Sequence, residues 1–156
     1  MLCQPIEQSK CAMDDFKLKK SFGFALGRVA IRMRQDLKVS FAESGYDISA
    51  PQWAVLNRLW EEDGLTQNEL AHRTFRDKTN IARMLKTLEK RRYVRREIGV
   101  KDHRHRKVYL TPEGKALKEK LIPIAIARLK TAARGLTQKE IEDLIHTLNH
   151  INANLG

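Results

Sequence analysis

Cysteine is nearly absent from this sequence. Only Cys3 and Cys11 occur in 156 residues, and both precede the first periodic segment. That is too few for a disulfide scaffold. Long apolar runs are missing as well: the longest, Leu121 to Ala127, falls far short of the roughly 18 residues that a spanning helix needs. From Met1 to Phe16 no basic stretch leads into an apolar one, so no secretory signal is expected. There is no internal repeat or low-complexity tract, and no G-x-S-x-G elbow, phosphate-binding G-x-x-x-x-G-K-[ST] or dinucleotide G-x-G-x-x-G. Secreted mini-protein, membrane protein and collagen-like chain are thereby excluded, no enzyme class has a positive argument, and no cofactor is expected. Acidic residues are also in deficit, 19 against 30 Lys+Arg, for a net charge of +11.

What is present is a chain that is 42% hydrophobic, enough for a packed core. A soluble, cytoplasmic, basic globular protein of one domain, or one domain plus an extension, is expected. Positive charge in excess points to a polyanionic partner. From Arg73 to Lys107 there are fourteen Lys or Arg and four Asp or Glu, whereas the rest of the chain is close to balanced. Nearly all of the excess therefore lies in one central segment.

Either side of it the pattern is helical. Leu18, Phe22, Leu26, Val29, Met33 and Leu37 recur every three or four residues, predicting an amphipathic helix over 16–43 that stops near Gly45. At ~1.5 Å per residue it is ~40 Å long, more than a small domain needs to cover its own core, so much of it packs against something else. Gly23 and Gly27 lie four apart on it, which fits either a closely approaching helix or a chance pair. Capping patterns then follow in series: Ser49 with Gln52, Thr66 with Glu69, and Thr137 with Glu140. Asp77 can cap a helix running to about Arg91, and Thr111-Pro112 opens another, inside which Pro123 should produce a kink or break. Between these, Val94 to Ile98 and Lys107 to Leu110 alternate in polarity and read as a β-hairpin joined by Gly99 to Arg106. The fold class expected is mainly α with a small β-hairpin wing: a winged helix-turn-helix domain plus a helical region, which the family resemblance given below makes a dimerisation region.

Residues 66–91 form a short helix, a tight connection and a longer helix, the helix-turn-helix arrangement. Leu70, Ile81 and Leu85 would fill its core, with small Ala71 at the crossing. The second helix of such a unit enters the major groove N-terminus first. Opposite Ile81 and Leu85 stand Thr79, Asn80, Arg83, Lys86 and partly Ala82. Thr79, Asn80 and Arg83 are the candidate base readers, because Arg can donate twice to guanine and Asn can pair with adenine. Arg76, Lys78 and Lys86, with Thr66 and Gln67, are candidates for phosphate contacts, which position without reading sequence. At the hairpin tip Arg104 could lie in the minor groove, oriented by Asp102 and accompanied by Arg106.

The runs Leu65-Thr66-Gln67-Asn68-Glu69-Leu70-Ala71, Asp77-Lys78-Thr79-Asn80-Ile81-Ala82-Arg83-Met84-Leu85 and Leu88-Glu89-Lys90 resemble the multiple-antibiotic-resistance regulator (MarR) family. So does Asp102-x-Arg104 followed by Leu110-Thr111-Pro112-Glu113-Gly114, similar to that family's D-x-R…L-T-x-x-G signature. The resemblance implies a homodimer interlocked through helices at 16–43, 112–133 and 137–153, whose two winged domains bind a pseudo-palindromic operator in double-stranded DNA. It divides the chain into a tail (1–15), a first dimerisation helix (16–46), a winged DNA-binding domain (47–111) and C-terminal dimerisation helices (112–156). It further implies a transcriptional regulator, expected to be a repressor, released by a small aromatic effector in a pocket to which Phe22, Met33, Trp53 and Leu56 could contribute. One departure is Arg92, where the family usually has Gly; a non-Gly residue in a left-handed cap is strained.

Alternative readings are a winged-helix protein-interaction module, or a redox- or metal-sensing regulator of the same fold. The family's sensing cysteine falls near Phe22 or Gly23, neither of which is Cys, and Cys3 and Cys11 lie upstream. His146 and His150 are one turn apart, but Thr147 follows His146 where a metalloprotease motif has Glu, and no metal is assigned. His103 and His105, beside Arg104 and Arg106, fit a DNA surface better than a cation site.

Overall fold

A computed structural model describes Leu18 and residues 21–98 and 106–156. The first α-helix among the described residues, α1, spans Phe22–Glu43. The helix starts at Phe22 rather than at residue 16, with Ser21 as an N-cap whose side chain makes no capping bond. It stops as expected. Gly45 takes φ +87°, the Gly45 N–H donates to the Ala42 carbonyl (3.0 Å) and the Tyr46 N–H to the Phe41 carbonyl (2.8 Å), the paired bonds of a Schellman motif.

Helix α2, Ala50–Glu61, begins at a complete capping box between Ser49 and Gln52. A two-residue strand β1, Leu65–Thr66, leads into α3, Gln67–Arg73, capped reciprocally by Thr66 and Glu69. Helix α4, Lys78–Lys90, starts at Asp77, and the hairpin follows as β2, Val94–Ile98, and β3, Arg106–Leu110. The sheet is antiparallel with order β1-β3-β2; Leu65 pairs with Val108, and Val94 with Leu110. The alternation in the hairpin predicted two strands, not the third. Two residues are too few to show a period, and β1 exists because β3 supplies its partners.

Helix α5, Pro112–Ala132, and α6, Gln138–Asn154, complete the chain. The predicted break at Pro123 does not occur: α5 runs through it. Proline removes one N–H, but Pro123 and Glu119, whose carbonyl would have accepted it, are both exposed, so water can satisfy the freed oxygen.

The core sits within the winged region. Phe41, Ile48, Leu56, Leu59, Leu70, Ile81, Leu85, Leu88 and Leu121 are fully buried, joined by Val55, Leu65, Val94 and Val108. Helix α1 contributes only Phe41 as a buried residue, and α6 contributes none. Around Gly23 and Gly27, among the described residues, nothing but Ser21 approaches within 4 Å of an added Cβ, so no described helix crosses there. No helix among the described residues is long and apolar enough to cross a membrane.

Candidate nucleic-acid interface

Helix α4 is built on a strict division of faces. Ile81, Leu85 and Leu88 are fully buried and Met84 nearly so, which anchors one side against α3 and the sheet. The opposite side presents Lys78, Thr79, Arg83 and Lys86 to solvent, with Asn80 half-buried between them and Ala82 partly covered. The described residues give Lys78, Arg83 and Lys86 no acidic partner in a salt bridge. Gln67 spans the two helices, its side-chain amide donating to the Lys78 carbonyl (3.0 Å). The Thr66 hydroxyl is engaged by Glu69: it donates to Oε2 (2.7 Å) and accepts the Glu69 N–H (3.2 Å).

The N-terminus of α4 carries a chain of side-chain bonds. Asp77 Oδ1 accepts the Asn80 N–H (2.8 Å), Asp77 Oδ2 accepts the Asn80 amide, and Asn80 Oδ1 accepts from the Arg83 guanidinium (2.8 Å). The Asn80 N–H, followed by its side-chain amide, holds the Asp77 carboxyl below its ordinary range. At the other end, Arg92 takes φ +61° despite its side chain, with Arg92 N–H to Glu89 carbonyl (2.9 Å) and Tyr93 N–H to Leu88 carbonyl (2.9 Å). The helix thus ends where a glycine would have ended it.

Charge in the segment 73–107 divides once partners are visible. Arg73 pairs with Glu62 (2.6 Å), Arg91 with Asp47, Arg95 with Glu97 and Arg96 with Glu89. The Arg96 side chain keeps the Glu89 carboxyl below its ordinary range and ties β2 to the last turn of α4. These arginines brace the scaffold, whereas Lys78, Arg83 and Lys86 remain on the open face. Arg76, expected among the phosphate contacts, is half-buried. It lies in the turn before α4 and lines a cavity, with its Nε buried and without a hydrogen-bond partner among the described residues. Of the wing candidates, Arg106 is exposed on β3; Asp102, His103, Arg104 and His105 lie outside the described residues, as do Cys3 and Cys11.

That cavity, about 290 Å³, opens between α1, α2 and α5. Met33 and Trp53 line it as expected, with Leu37, Ala54, Ala125 and Leu129. Leu56 and Phe22 do not. Leu56 is wholly inside the core, and Phe22, 72% exposed, is at the far end of α1, because one helical stripe serves both core and cavity at different heights. Across one wall Arg128 donates to both oxygens of Asp36 (2.6 and 2.8 Å). Neither this pair nor Phe75, 83% exposed at φ +52° in the helix-turn-helix connection, was flagged by the sequence; spacing within one element carries no signal for a contact between two. His146 and His150 are exposed on α6.

A short helix, a turn and a cationic helix, flanked by a three-stranded antiparallel sheet, define a winged helix-turn-helix protein. The MarR family model matches residues 48–105. The HTH-type transcriptional regulator SarZ of Staphylococcus aureus is 31% identical over 105 residues, 67% of this chain and 70% of SarZ. TtmR, an HTH-type transcriptional regulator of Methylorubrum extorquens, is 38% identical over 76 residues, 49% of this chain but only 39% of TtmR. Among solved structures, the transcriptional repressor CouR bound to a 23-mer DNA duplex superposes with TM-score 0.80 at 25% identity, covering 88% of this chain and 99% of that one. The chain belongs to the MarR family of transcriptional regulators, which are not enzymes.

Proposed function

We propose that this chain is a cytoplasmic repressor that binds a pseudo-palindromic operator as a homodimer and is released by a small aromatic acid. The observation that carries the DNA reading is the exposed face of α4: Lys78, Thr79, Arg83 and Lys86 all stand clear of the buried side of the helix. Thr79 and Arg83 face bases, with Asn80 between them on the same face; Lys78, Lys86, Thr66 and Gln67 face phosphates; Arg104, oriented by Asp102 and followed by Arg106, serves the minor groove. The DNA duplex bound to CouR supports this docking.

The dimer rests on uncovered apolar surface. Helix α6 has seventeen residues and none buried, with Leu144 50% and Ile145 52% exposed. Such a helix owes its stability to packing of its apolar face, and a second copy of α1 and α6 supplies it. Residues 16–46 and 112–156 are the dimerising parts and 47–111 the reading part. The effector reading rests on the cavity: an apolar lining with Trp53, and an Arg76 Nε without a partner among the described residues, suit an aromatic ring bearing a carboxylate.

Footprinting on the DNA flanking the gene, repeated with aromatic acids, tests these points together. Protection of two half-sites about one helical turn apart, lost on adding acid, is the expected result. Equal affinity for that DNA and a scrambled duplex at physiological salt would overturn the reading.

A further inference from the structure

Asn80 stands where a base reader is expected, yet both ends of its amide are turned onto protein. The NH2 group donates to Asp77 Oδ2 and the oxygen accepts from Arg83 (2.8 Å). That assignment of amide nitrogen and oxygen is the one electrostatics demands, since the reverse would set the NH2 against a guanidinium and the oxygen against a carboxylate. A bidentate contact to adenine uses the same two ends at once. Arg83 gives only one of its five N–H donors to Asn80 and keeps a two-donor edge for the N7 and O6 of guanine.

We propose that Asp77 and Asn80 are positioning residues that hold the Arg83 guanidinium for a single guanine, and that Asn80 reads no base of its own. Asp77 fixes Asn80 twice, through its backbone N–H and its side chain, and Asn80 passes that fixed orientation to Arg83 one turn further along α4. An arginine on an exposed helix face otherwise samples many rotamers, and ordering it before DNA arrives removes that entropic cost from the specific complex. The low carboxyl pKa of Asp77 keeps the first member ionised at neutral pH.

The proposal rests on the DNA reading above and is tested apart from it. The full chain is used to select sites from a random duplex library, and binding to every single-base variant of the selected site is then measured for wild type, Arg83→Ala, Asn80→Ala, Asp77→Ser and the Arg83→Ala/Asn80→Ala double variant. The expected result is that Arg83→Ala and Asn80→Ala each relax preference at the same base pair, by about tenfold. The double variant then loses no more than Arg83→Ala alone. Asp77→Ser keeps a helix cap but frees the Asn80 amide, so it relaxes that same base pair while the melting temperature stays within a few degrees. The proposal is overturned if Asn80→Ala relaxes a different base pair from Arg83→Ala, or if Asp77→Ser leaves the preference intact. A wild type with no base preference would instead remove the DNA reading itself, and the positioning role with it.

Discussion

The Trp60 indole N–H donates to the carbonyl of Gly114 (2.9 Å), joining α2 to the first turn of α5. Gly114 is there because nothing larger fits: a Cβ would lie 1.9 Å from the Tyr93 carbonyl oxygen, a backbone atom that cannot step aside. The glycine of the L-T-x-x-G run thus marks a close approach of two backbones. Gly114→Ala should cost at least ~1–3 kcal/mol through overpacking, and Trp60→Phe about 1 kcal/mol through the lost hydrogen bond. Urea denaturation of both variants checks the order; a near-neutral Gly114→Ala would contradict it.

Arg92 makes the opposite prediction. Its φ of +61° strains a residue with a Cβ, and the helix end it forms needs only backbone groups. Arg92→Gly should raise stability by about 0.5–1 kcal/mol, the relief of left-handed strain less the added chain entropy of glycine. A shift of the denaturation midpoint to higher urea is the expected reading.

Acid should loosen the caps. The Thr66 N–H holds the Glu69 carboxyl below its ordinary range, the Asn80 N–H does so for Asp77, the Arg96 side chain for Glu89, and the Thr137 N–H for Glu140. Each group binds fewer protons folded than unfolded, so its contribution is complete above the unfolded carboxylate pKa of about 4 and is lost as pH falls through the lower folded value. Melting temperature followed by circular dichroism should lose nothing to these groups between pH 7 and 5 and should decline below about pH 4. Glu69→Gln should flatten that decline; an unchanged acid limb would argue against the cap as its source.

Self-association should depend on α6. Leu144→Glu combined with Ile145→Glu places two charges on the uncovered apolar face, and the sedimentation mass should fall from twice 18.1 kDa to 18.1 kDa. An unchanged mass would move the interface elsewhere.

Arg76 should separate effector binding from DNA binding. Arg76→Gln removes the guanidinium from the cavity wall but leaves the exposed face of α4 untouched. With benzoate and cinnamate as probes, the concentration that releases DNA should rise by about tenfold or more, the loss of a charge-assisted hydrogen bond, while affinity without effector changes little. Fluorescence of Trp53, which lines the same cavity, gives an independent binding signal.

Much of this protein is local and was therefore legible. A hydroxyl residue with Glu or Gln three positions on announces the caps at Ser49, Thr66 and Thr137, because a capping box closes within four residues. The two faces of α4 followed from a 3.6-residue period, and alternation placed β2 and β3. The strand β1 did not follow, since it exists only where β3 lies alongside, nor did the start of α1 at Phe22 or the continuity of α5 through an exposed Pro123.

Composition and order alone determined that this chain carries a cationic helix-turn-helix with a hairpin behind it. Only the tertiary structure decided which cations are free. Arg73, Arg91, Arg95 and Arg96 are drawn into pairs by acids on other segments or neighbouring strand positions, Arg76 turns into a cavity, and Lys78, Arg83 and Lys86 are left facing outward. The physical reason is that a charge's partner is set by proximity in space, and for residues far apart along the chain that proximity exists only after the core has brought them together.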